Sequence, residues 1–346
     1  MSHVGSGMNS PDGGFKPFSG PAIALVVPST EAQRAIRAAV QMSDTASLAY
    51  NEAVAIRLRR ALNVAALRGA LNDLVARHES LRAVFTSDGI SMLVAESSSL
   101  EAPLSDLSSF AESERDRDRE TILRDVVTSI FDLVNGPLIR AQLLRRGEEM
   151  HELVLTAHHI VCDGWSFGVI DSDLAALYNA RVAGTPLTVQ APDRFSEYAR
   201  ERVDAVTSPE RRADATKRVQ QFRGSVPVLN HPTDRARPAL KTYVASRVDR
   251  VVPSDVVRAL RTTGARAGVS LFATLLGGYS ALLHRLTGQD DLVVAVPVPG
   301  PSAAGKPSLV GHCVAMLPIR VQPVGARPMD EYLRSVSSIA LDGFEL

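Results

Sequence analysis

The spacing of apolar residues in the first half of the chain predicts an order of strands and helices. A half-buried strand is predicted where apolar residues alternate with polar or small ones: Val54, Ile56 and Leu58. An amphipathic helix over 64–79 is predicted where apolar positions recur every three or four residues: Leu67, Leu71, Leu74 and Val75. Strands and helices that follow each other in this way indicate a mixed αβ fold.

Caps and breaks in the pattern predict further elements. Thr30 and Gln33 have the spacing of a capping box, in which both side chains satisfy free amides at a helix start, so we expect a helix over 32–42. Residues 84–94 are predicted to form a hairpin, and residues 112–131 a charged helix.

Two strands are predicted over 138–144 and 153–158, followed by a loop and by a helix that ends at Gly184. This order is a common setting for a functional site, because strand ends are rigid and loops expose polar groups. The chain is then polar and proline-rich to about residue 240, which predicts a linker with one exposed helix.

The last third of the chain is predicted to form a second αβ unit. We expect a strand at 242–251, a helix at 254–263, and buried strands at 292–298 and 314–321. A long helix opened by Ser270 is predicted to carry apolar residues on one side: Phe272, Leu275, Leu276, Tyr279, Leu282 and Leu283. The final ALDGFEL continues a helical pattern without a stop signal, so we expect the chain to be cut short there.

Composition favours two lobes and limits the classes of partner. The 346 residues exceed one ordinary core and suit two units of about 150 residues. The 38 basic residues balance the 38 acidic ones, so no net charge favours nucleic acid or a membrane surface. Only two cysteines and no apolar run of about 18 residues occur, so we expect a cytoplasmic protein. Residues 1–22 are predicted to be a flexible tail.

The stretch LTAHHIVCDGWSFG, residues 155–168, gathers the residues with the clearest chemistry. A histidine at a strand end can accept a proton on one ring nitrogen while an acceptor holds the other nitrogen. Asp163 is close enough to brace the loop, and Gly164 permits a close approach of the backbone. From the residues alone, a structural histidine pair and a catalytic one fit equally well.

Other chemistries fit this stretch less well. His158, His159 and Asp163 could ligate zinc, but adjacent strand residues point to opposite faces, so we expect no metal site. Cys162 has no helix start or cationic cluster that would lower its pKa, so a small buried residue is favoured over a nucleophile.

Three residues near this stretch have structural explanations of their own. Trp165 is expected to be a wall of the site or a packing anchor, because the chain has few other aromatic residues. Arg77 and Arg82 lie at a predicted helix end, where the helix dipole favours cations in any case.

HHIVCDGWS resembles the His-His-x-x-x-Asp-Gly signature of nonribosomal peptide synthetase condensation domains, relatives of chloramphenicol acetyltransferase. The resemblance extends over about 25–346. Six further segments resemble family segments and occur in the family's order: PSTEAQR (28–34), RHESLRAVF (77–85), FDLVNGPLIR (131–140), HPTDRARP (231–238), LLHRLTGQDDLVVAVPVPG (282–300) and LVGHCVAMLPIR (309–320).

The resemblance implies an α/β (α+β) fold of two chloramphenicol acetyltransferase-like lobes in a V shape with a central tunnel. The N-terminal lobe is expected over 23–183 and the C-terminal lobe over 184–346. A full-length domain of the family continues beyond the end of this sequence, so the second lobe is expected to be incomplete.

The resemblance also implies a reaction and its partners. Donor and acceptor peptidyl carrier domains, in cis or in trans, bring thioester-linked groups on phosphopantetheine arms, and the acceptor amine attacks the donor thioester to form an amide. No cofactor is expected to bind directly. An adenylation domain is expected elsewhere in the assembly line.

By position in the resemblance, His159 is the catalytic residue. An α-amine with a pKa near 8 is already about a tenth neutral at pH 7, so positioning the amine and receiving its proton would be its larger role. The supporting residues are expected to be the following: His158, Asp163, Gly164, Arg77 and Arg82. Asp163 is expected to form a salt bridge with Arg77 or Arg82, and the Gly164 amide to face the oxyanion. The residues expected to line the tunnel or contact substrate are Trp165, Ser166 and Ala315.

The chain departs from the family at four positions. Arg37, Glu201 and Arg218 stand where tryptophan is frequent, and Ala315 stands where asparagine is expected. Three alternatives therefore stay open: a coenzyme A- or carrier-dependent acyltransferase to a soluble amine or alcohol, an epimerising relative, and a noncatalytic carrier-docking module. The late DFGWG segment of plant-type acyltransferases does not occur in the sequence.

Overall fold

The computed structural model describes residues 22–239, 242–298, 305–323 and 325–345. The predicted tail over 1–22 lies outside these residues except for its last position.

The first half of the chain forms two β-sheets. The three-stranded sheet has the antiparallel order β1-β4-β3, with β1 at Ile23–Pro28, β3 at Ala83–Phe85 and β4 at Ser91–Ala95. The four-stranded sheet has the order β2-β7-β6-β5, with β2 at Asn51–Arg59, β5 at Leu104–Asp106, β6 at Ile139–Gly147 and β7 at Met150–His158. In this second sheet β5 runs parallel to β6, and the other pairs are antiparallel.

Helices connect and cover these strands. Before β6 they are α1 at Glu31–Val40, α2 at Asp44–Leu48, α3 at Val64–Arg77, a 3₁₀ turn at Glu79–Arg82, and α4 at Glu112–Val127. After β7 come α5 at Gly164–Ala183, α6 at Phe195–Thr207 and α7 at Pro209–Gln221. The predicted capping box is confirmed, because Thr30 Oγ1 accepts from the Gln33 amide at 3.2 Å and Gln33 Oε1 accepts from the Thr30 amide at 3.0 Å.

The main hydrophobic core lies between the four-stranded sheet and helices α3 and α5. It is built from fully buried aliphatic side chains of all three layers: Leu71, Leu74, Leu153, Leu155 and Ile170. Each such side chain contributes about 2 kcal/mol of burial free energy. The end of β7 and the start of α5 are therefore held on a rigid base, and the HHIVCDG loop lies between them.

A second core forms on the three-stranded sheet, and residues from both halves of the sequence contribute to it. Phe195 and Tyr198 of α6 pack there, as do Leu309 and Cys313. Gly311 makes this close packing sterically feasible, because a Cβ at this position would lie 2.0 Å from Cδ2 of Phe195. Two stretches beyond residue 184 thus pack against the first half, and the lobe boundary at 183/184 stays a prediction.

The last part of the chain forms a separate small αβ core. Its elements are α8 at Ser254–Ala267, α9 at Leu271–Thr287, β8 at Leu292–Val298, β9 at Ala315–Val321 and α10 at Met329–Glu345. The strands β8 and β9 pair antiparallel. Its buried side chains come from both helices and strands: Leu276, Leu283, Leu317, Ile319 and Val336.

The predicted apolar face of α9 is only partly buried. Leu276 and Leu283 lie in the core, but Leu275, Tyr279 and Leu282 are about half-exposed. The reason is that α10 packs against the small residues of α9, where a Cβ on Gly277 would lie 2.6 Å from Leu333 Cδ2. Helix α9 therefore packs against α10 through the face that carries its small residues, and the face with the larger apolar residues is left partly exposed.

The strand predicted at 242–251 is wrong. The described residues there are not part of a sheet, and the valines that suggested one are exposed: Val244 at 82%, Val248 at 77% and Val251 at 95%. An alternating pattern becomes a strand only where another strand offers a partner for its backbone. The linker with one exposed helix predicted to about residue 240 is also wrong, because this stretch contains two helices, α6 and α7, and Phe195 and Tyr198 of α6 are buried. The strand predicted at 292–298 is present, but only its first residue, Leu292, is fully buried. The remaining predicted elements are present with shifts of a few residues at their ends, and the mixed αβ fold class is confirmed.

No single helix in the described residues is long and apolar enough to cross a membrane. Only α8 and α9 taken together, with a bend of 100° between them, reach the required length and composition.

Candidate active site

The loop between β7 and α5 is fixed at both ends by backbone hydrogen bonds. The His159 amide donates to the Tyr50 carbonyl at 2.7 Å, which prolongs the β2–β7 pairing beyond His158. At the other end Asp163 is the N-cap of α5, and its Oδ1 accepts from the Ser166 amide at 2.9 Å. The loop is therefore a short rigid link, which holds the His159 ring in a defined orientation.

Asp163 also holds a segment from the far end of the sequence. Its Oδ2 accepts from the Cys313 amide at 3.0 Å, and both residues are buried. The Ser166 hydroxyl lies 2.8 Å from Asp163 Oδ1 and accepts from the Gly311 amide at 3.0 Å. The predicted structural role of Asp163 thus has a specific geometry: it caps a helix and anchors the 309–313 segment.

The predicted salt bridge from Asp163 to Arg77 or Arg82 is wrong. Arg77 instead donates from Nε to Asp173 Oδ2 at 2.7 Å, and the same oxygen lies 2.8 Å from His78 Nε2. Arg82 donates to the Ala95 carbonyl and lines a cavity of about 1010 Å³ whose lining residues do not include His159. Arg77 at the end of α3 and Arg82 in the following 3₁₀ turn are therefore held by partners on α5 and β4, and they do not reach the loop.

The His159 ring is partly exposed, with 23% of its side chain accessible, and each of its nitrogens has a neighbour. Nδ1 lies 2.8 Å from the Cys162 carbonyl oxygen. A carbonyl can only accept, so Nδ1 carries the ring proton and the neutral ring presents a lone pair at Nε2. Nε2 lies 3.2 Å from Oε1 of Glu52.

His312 packs against His159 from the anchored segment. The two rings are nearly perpendicular, with centroids 4.7 Å apart, and their Nδ1 atoms are 3.3 Å apart. Burial, and to a smaller degree the neighbouring His159, lower the pKa of His312 to about 4 against the opposing effect of the Asp163 charge. His312 is therefore neutral near pH 7, so its Nδ1 can accept from the Nδ1 proton of His159.

Glu52 and His312 were missed by the sequence reasoning. Glu52 had a signal, because it continues the alternation of Val54, Ile56 and Leu58 toward the strand start and so places a carboxylate on the apolar face. His312 had no periodic pattern, and its place in the family-like segment LVGHCVAMLPIR was the sole hint, because it reaches His159 through the long-range anchor at Asp163.

His158 is completely buried between Tyr50 and Phe131. Its Nδ1 accepts from the Ile160 amide at 3.2 Å, and its Nε2 has no hydrogen-bond partner among the described residues. Burial lowers its pKa to about 3, with smaller contributions from His159 and His312. A neutral ring packed in this way cannot reach a substrate, so the geometry is that of a structural residue.

The three residues expected near substrate differ in exposure. Trp165 is 42% exposed and donates from Nε1 to the Pro307 carbonyl at 3.2 Å, and Ala315 is exposed at the start of β9. Ser166 is fully buried and its hydroxyl is occupied by Asp163 and Gly311, so the expectation of substrate contact fails there. Gly164, at the first position of α5, faces open space, because a Cβ there would meet no atom within 4 Å.

The surroundings of Cys162 and the grouping of possible metal ligands bear on two further chemistries, nucleophilic catalysis by a cysteine and metal binding. Cys162 is fully buried, and burial raises the pKa of its thiol, which keeps it from acting as a nucleophile. In the described part of the chain, no three His, Cys, Asp or Glu side chains are grouped so that they could hold a metal ion. What the site presents is an imidazole with one fixed tautomer, a neighbouring carboxylate, and open space over a helix start.

The similarity of this chain to known proteins identifies a family. The family model described as "Condensation domain" matches residues 23–345. Phosphinothricin tripeptide synthetase PhsC from Streptomyces viridochromogenes is 36% identical over 280 residues, which are 79% of this chain and 25% of that protein. Chondramide synthase cmdD from Chondromyces crocatus is 33% identical over 326 residues, which are 92% of this chain and 8% of that protein. The chain thus spans a small share of both relatives.

A solved structure extends the similarity to the fold. The SgcC5 protein from Streptomyces globisporus superposes with a TM-score of 0.77 at 26% identity, covering 92% of this chain and 73% of that one. It was crystallised in complex with (R)-(-)-1-(2-naphthyl)-1,2-ethanediol and sucrose. The predicted fold class is confirmed by this superposition, and the V shape and the central tunnel stay predictions.

Proposed function

The chain belongs to the condensation-domain family, and from this membership we propose that it forms an amide bond between two carrier-bound groups. The donor is an acyl thioester on one phosphopantetheine arm, and the acceptor is the amine of an aminoacyl group on another. The partners are donor and acceptor peptidyl carrier domains, with an adenylation domain elsewhere in the assembly line. Both cysteines are buried and free, which fits a reducing cytoplasm.

The observation that carries the proposal is the orientation of His159. The Cys162 carbonyl holds the proton on Nδ1, and the partly exposed neutral ring presents a lone pair at Nε2. A neutral imidazole with a fixed tautomer can position an amine and accept its proton as the carbon–nitrogen bond forms. When the carbon–sulfur bond breaks, the imidazolium returns this proton to the departing thiolate, which leaves as a thiol.

The other loop residues support this role. Asp163 and Ser166 hold the loop and the 309–313 segment, and His158 fills the core behind His159. Gly164 leaves room at the first turn of α5, where free amides can stabilise an oxyanion. We propose the lobes at 23–183 and 184–346, with a tunnel between them that brings both arms to this loop.

The proposal is tested by mass spectrometry of the acceptor carrier. An acyl-loaded donor carrier and an aminoacyl-loaded acceptor carrier are mixed with the polypeptide that carries this sequence. Amide product is expected with the wild type. In His159→Ala the rate of amide formation should be lower by about 100-fold or more. The exposed His231 provides a matched control, and His231→Ala should leave the rate unchanged. Product at the wild-type rate in His159→Ala would remove the catalytic assignment.

A second candidate is ester formation with an alcohol acceptor. The observation that favours it is the diol in the crystal of SgcC5, a relative at 26% identity. The two functions are separated when the acyl-loaded donor carrier is offered either this soluble diol or the aminoacyl-loaded acceptor carrier. Faster formation of the free ester than of the carrier-bound amide would favour the ester.

A further inference from the structure

Glu52 places a carboxylate at the end of an otherwise apolar strand face. Along β2 the residues on this side are Val54, Ile56 and Leu58, which pack against the main core. One oxygen, Oε1, lies 3.2 Å from His159 Nε2. The other, Oε2, is buried and has no hydrogen-bond partner among the described residues. A buried carboxylate oxygen without a donor is costly, and nothing in the packing of the strand requires it.

The two facing atoms, Glu52 Oε1 and His159 Nε2, both lack a proton of their own when the carboxylate is ionised and the imidazole is neutral. The Cys162 carbonyl keeps the imidazole proton on Nδ1, so Nε2 offers only a lone pair. Two acceptors at 3.2 Å repel each other unless a donor lies against both. An ammonium group is such a donor, because it has three N–H bonds and a positive charge.

We propose that Glu52 is a catalytic residue that binds the acceptor's ammonium group and takes its first proton. This inference rests on the amide-forming function proposed above, and it adds a residue and a step to it. Free α-amines have a pKa near 8, so most acceptor groups arrive protonated at neutral pH and cannot attack. Glu52 supplies both the charge that attracts the cation and the base that converts it to a nucleophile.

The proton transfers balance in three steps. The ammonium gives one proton to the Glu52 carboxylate and becomes an amine. The amine attacks the donor carbonyl, the carbon–nitrogen bond forms, and His159 Nε2 takes a second proton. The carbon–sulfur bond then breaks, and the thiolate takes the proton from His159. The proton left on Glu52 is released to solvent, so the net products are amide, thiol and one proton.

The surroundings of Glu52 favour this transfer. Burial raises the pKa of its carboxyl, the negative charge of Asp163 raises it as well, and His159 lowers it only when its ring is protonated. His312 approaches from the anchored segment and is neutral near pH 7, so it adds no charge. A carboxyl whose pKa is raised toward that of the amine receives its proton with a smaller free-energy penalty.

The test compares Glu52→Gln on two acceptors in the carrier assay. One acceptor carries an ordinary aminoacyl group, and the other carries an aminooxyacyl group, whose amine is uncharged at neutral pH. With the aminoacyl acceptor at pH 7 the variant should be slower by about 10- to 100-fold. With the aminooxyacyl acceptor it should stay within about 3-fold of the wild type. A purely structural role for Glu52 would slow both acceptors equally.

The pH profile provides a second readout. Without Glu52 the attack depends on amine that is already neutral in solution, so the rate of Glu52→Gln should rise about tenfold per pH unit up to the amine pKa near 8. Glu52→Asp keeps the carboxylate and should keep the wild-type profile at a reduced rate. Glu149→Gln, on an exposed turn, is the matched control and should change neither acceptor.

The outcomes separate the two proposals. Wild-type product together with equal rates of Glu52→Gln and wild type on the aminoacyl acceptor overturns the inference and leaves the amide-forming function intact. An equal loss on both acceptors overturns it as well. If the wild type forms no product from any carrier pair, the proposed function fails, and the inference fails with it.

Discussion

The Asp163 carboxylate and the Cys313 backbone amide are joined by a 3.0 Å hydrogen bond that spans 150 residues of sequence. The other carboxylate oxygen caps α5 directly behind the histidine loop. One side chain therefore fixes the helix start next to His159 and the segment that carries His312. The distance between the two rings depends on this buried group, together with the hydrogen bond between Ser166 and Gly311.

Asp163→Ala should lower the free energy of unfolding by about 3 kcal/mol, because it removes a helix cap and leaves the buried Cys313 amide without an acceptor. Urea titration followed by circular dichroism measures the change. Asn63→Ala is the matched control, since Asn63 caps α3 at an exposed position and should cost about 1 kcal/mol. A double-mutant cycle of Asp163 with Arg77 should give a coupling near zero, and a coupling of about 1 kcal/mol or more would contradict the pairing of Arg77 with Asp173.

Gly311→Ala should destabilise the protein by about 1–3 kcal/mol, because its Cβ would lie 2.0 Å from the Phe195 ring. The ring is fully buried and cannot move away without shifting α6. Gly278→Ala is the control, since it lies on α9 with no atom within 4 Å of its Cβ and should be neutral or slightly stabilising. Thermal unfolding of both variants and of the wild type measures these changes in stability. Equal stability of Gly311→Ala and the wild type would show that the 309–313 segment does not pack on α6.

Elements with local signals could be predicted from the sequence, and elements set by distant partners could not. The capping box at Thr30 contains its own hydrogen bonds, so α1 was predicted nearly to its ends. Helix α4 ends at Val127, four residues before the predicted end. There the side chain of Asn51 donates to the Val127 carbonyl at 2.7 Å, and Arg140 donates to the Ser129 carbonyl at 2.9 Å. No pattern within the helix indicates these donors from β2 and β6.

The same difference applies to the candidate site. The histidine loop is local, and the sequence could indicate which of its residues carry chemistry. The donors to the Asp163 carboxylate lie on α5 and on the 309–313 segment. The expected arginines were assigned wrongly because only the fold shows that Arg77 pairs with Asp173. Glu52 could have been noticed as a charged residue on the apolar face of β2. That it lies close to His159 could not, because this follows from the β2–β7 register, in which Glu52 lies opposite Ala157.

Gly164→Ala should leave the fold intact and lower the rate of amide formation by about 10-fold or more. A Cβ at this position meets no protein atom within 4 Å, so a loss of rate reports on what enters the open space during the reaction. Gly168→Ala is a close control on the same helix, with equally open surroundings, and should keep the wild-type rate. The carrier assay measures the rate, and thermal unfolding verifies the fold. A wild-type rate in Gly164→Ala would place the substrate elsewhere.

Acidification should destabilise the protein through its two buried neutral histidines. Burial lowers the pKa of His158 to about 3 and that of His312 to about 4, whereas both return to the ordinary value of 6.5 when the chain unfolds. Between about pH 6.5 and 4 the unfolded chain therefore binds more protons than the folded one. Stability is complete above the unfolded pKa and falls with pH by up to about 1.4 kcal/mol per pH unit for each histidine.

The contribution of His312 can be isolated by substitution. Urea unfolding of the wild type and of His312→Gln at several values between about pH 7.5 and 4.5 gives the slope of the unfolding free energy with pH for each protein. The variant should have a slope that is smaller by up to about 1.4 kcal/mol per pH unit, because it lacks one histidine whose pKa is lowered by folding. Identical slopes for the wild type and His312→Gln would mean that His312 titrates alike in the folded and unfolded chain, which would contradict its burial against His159.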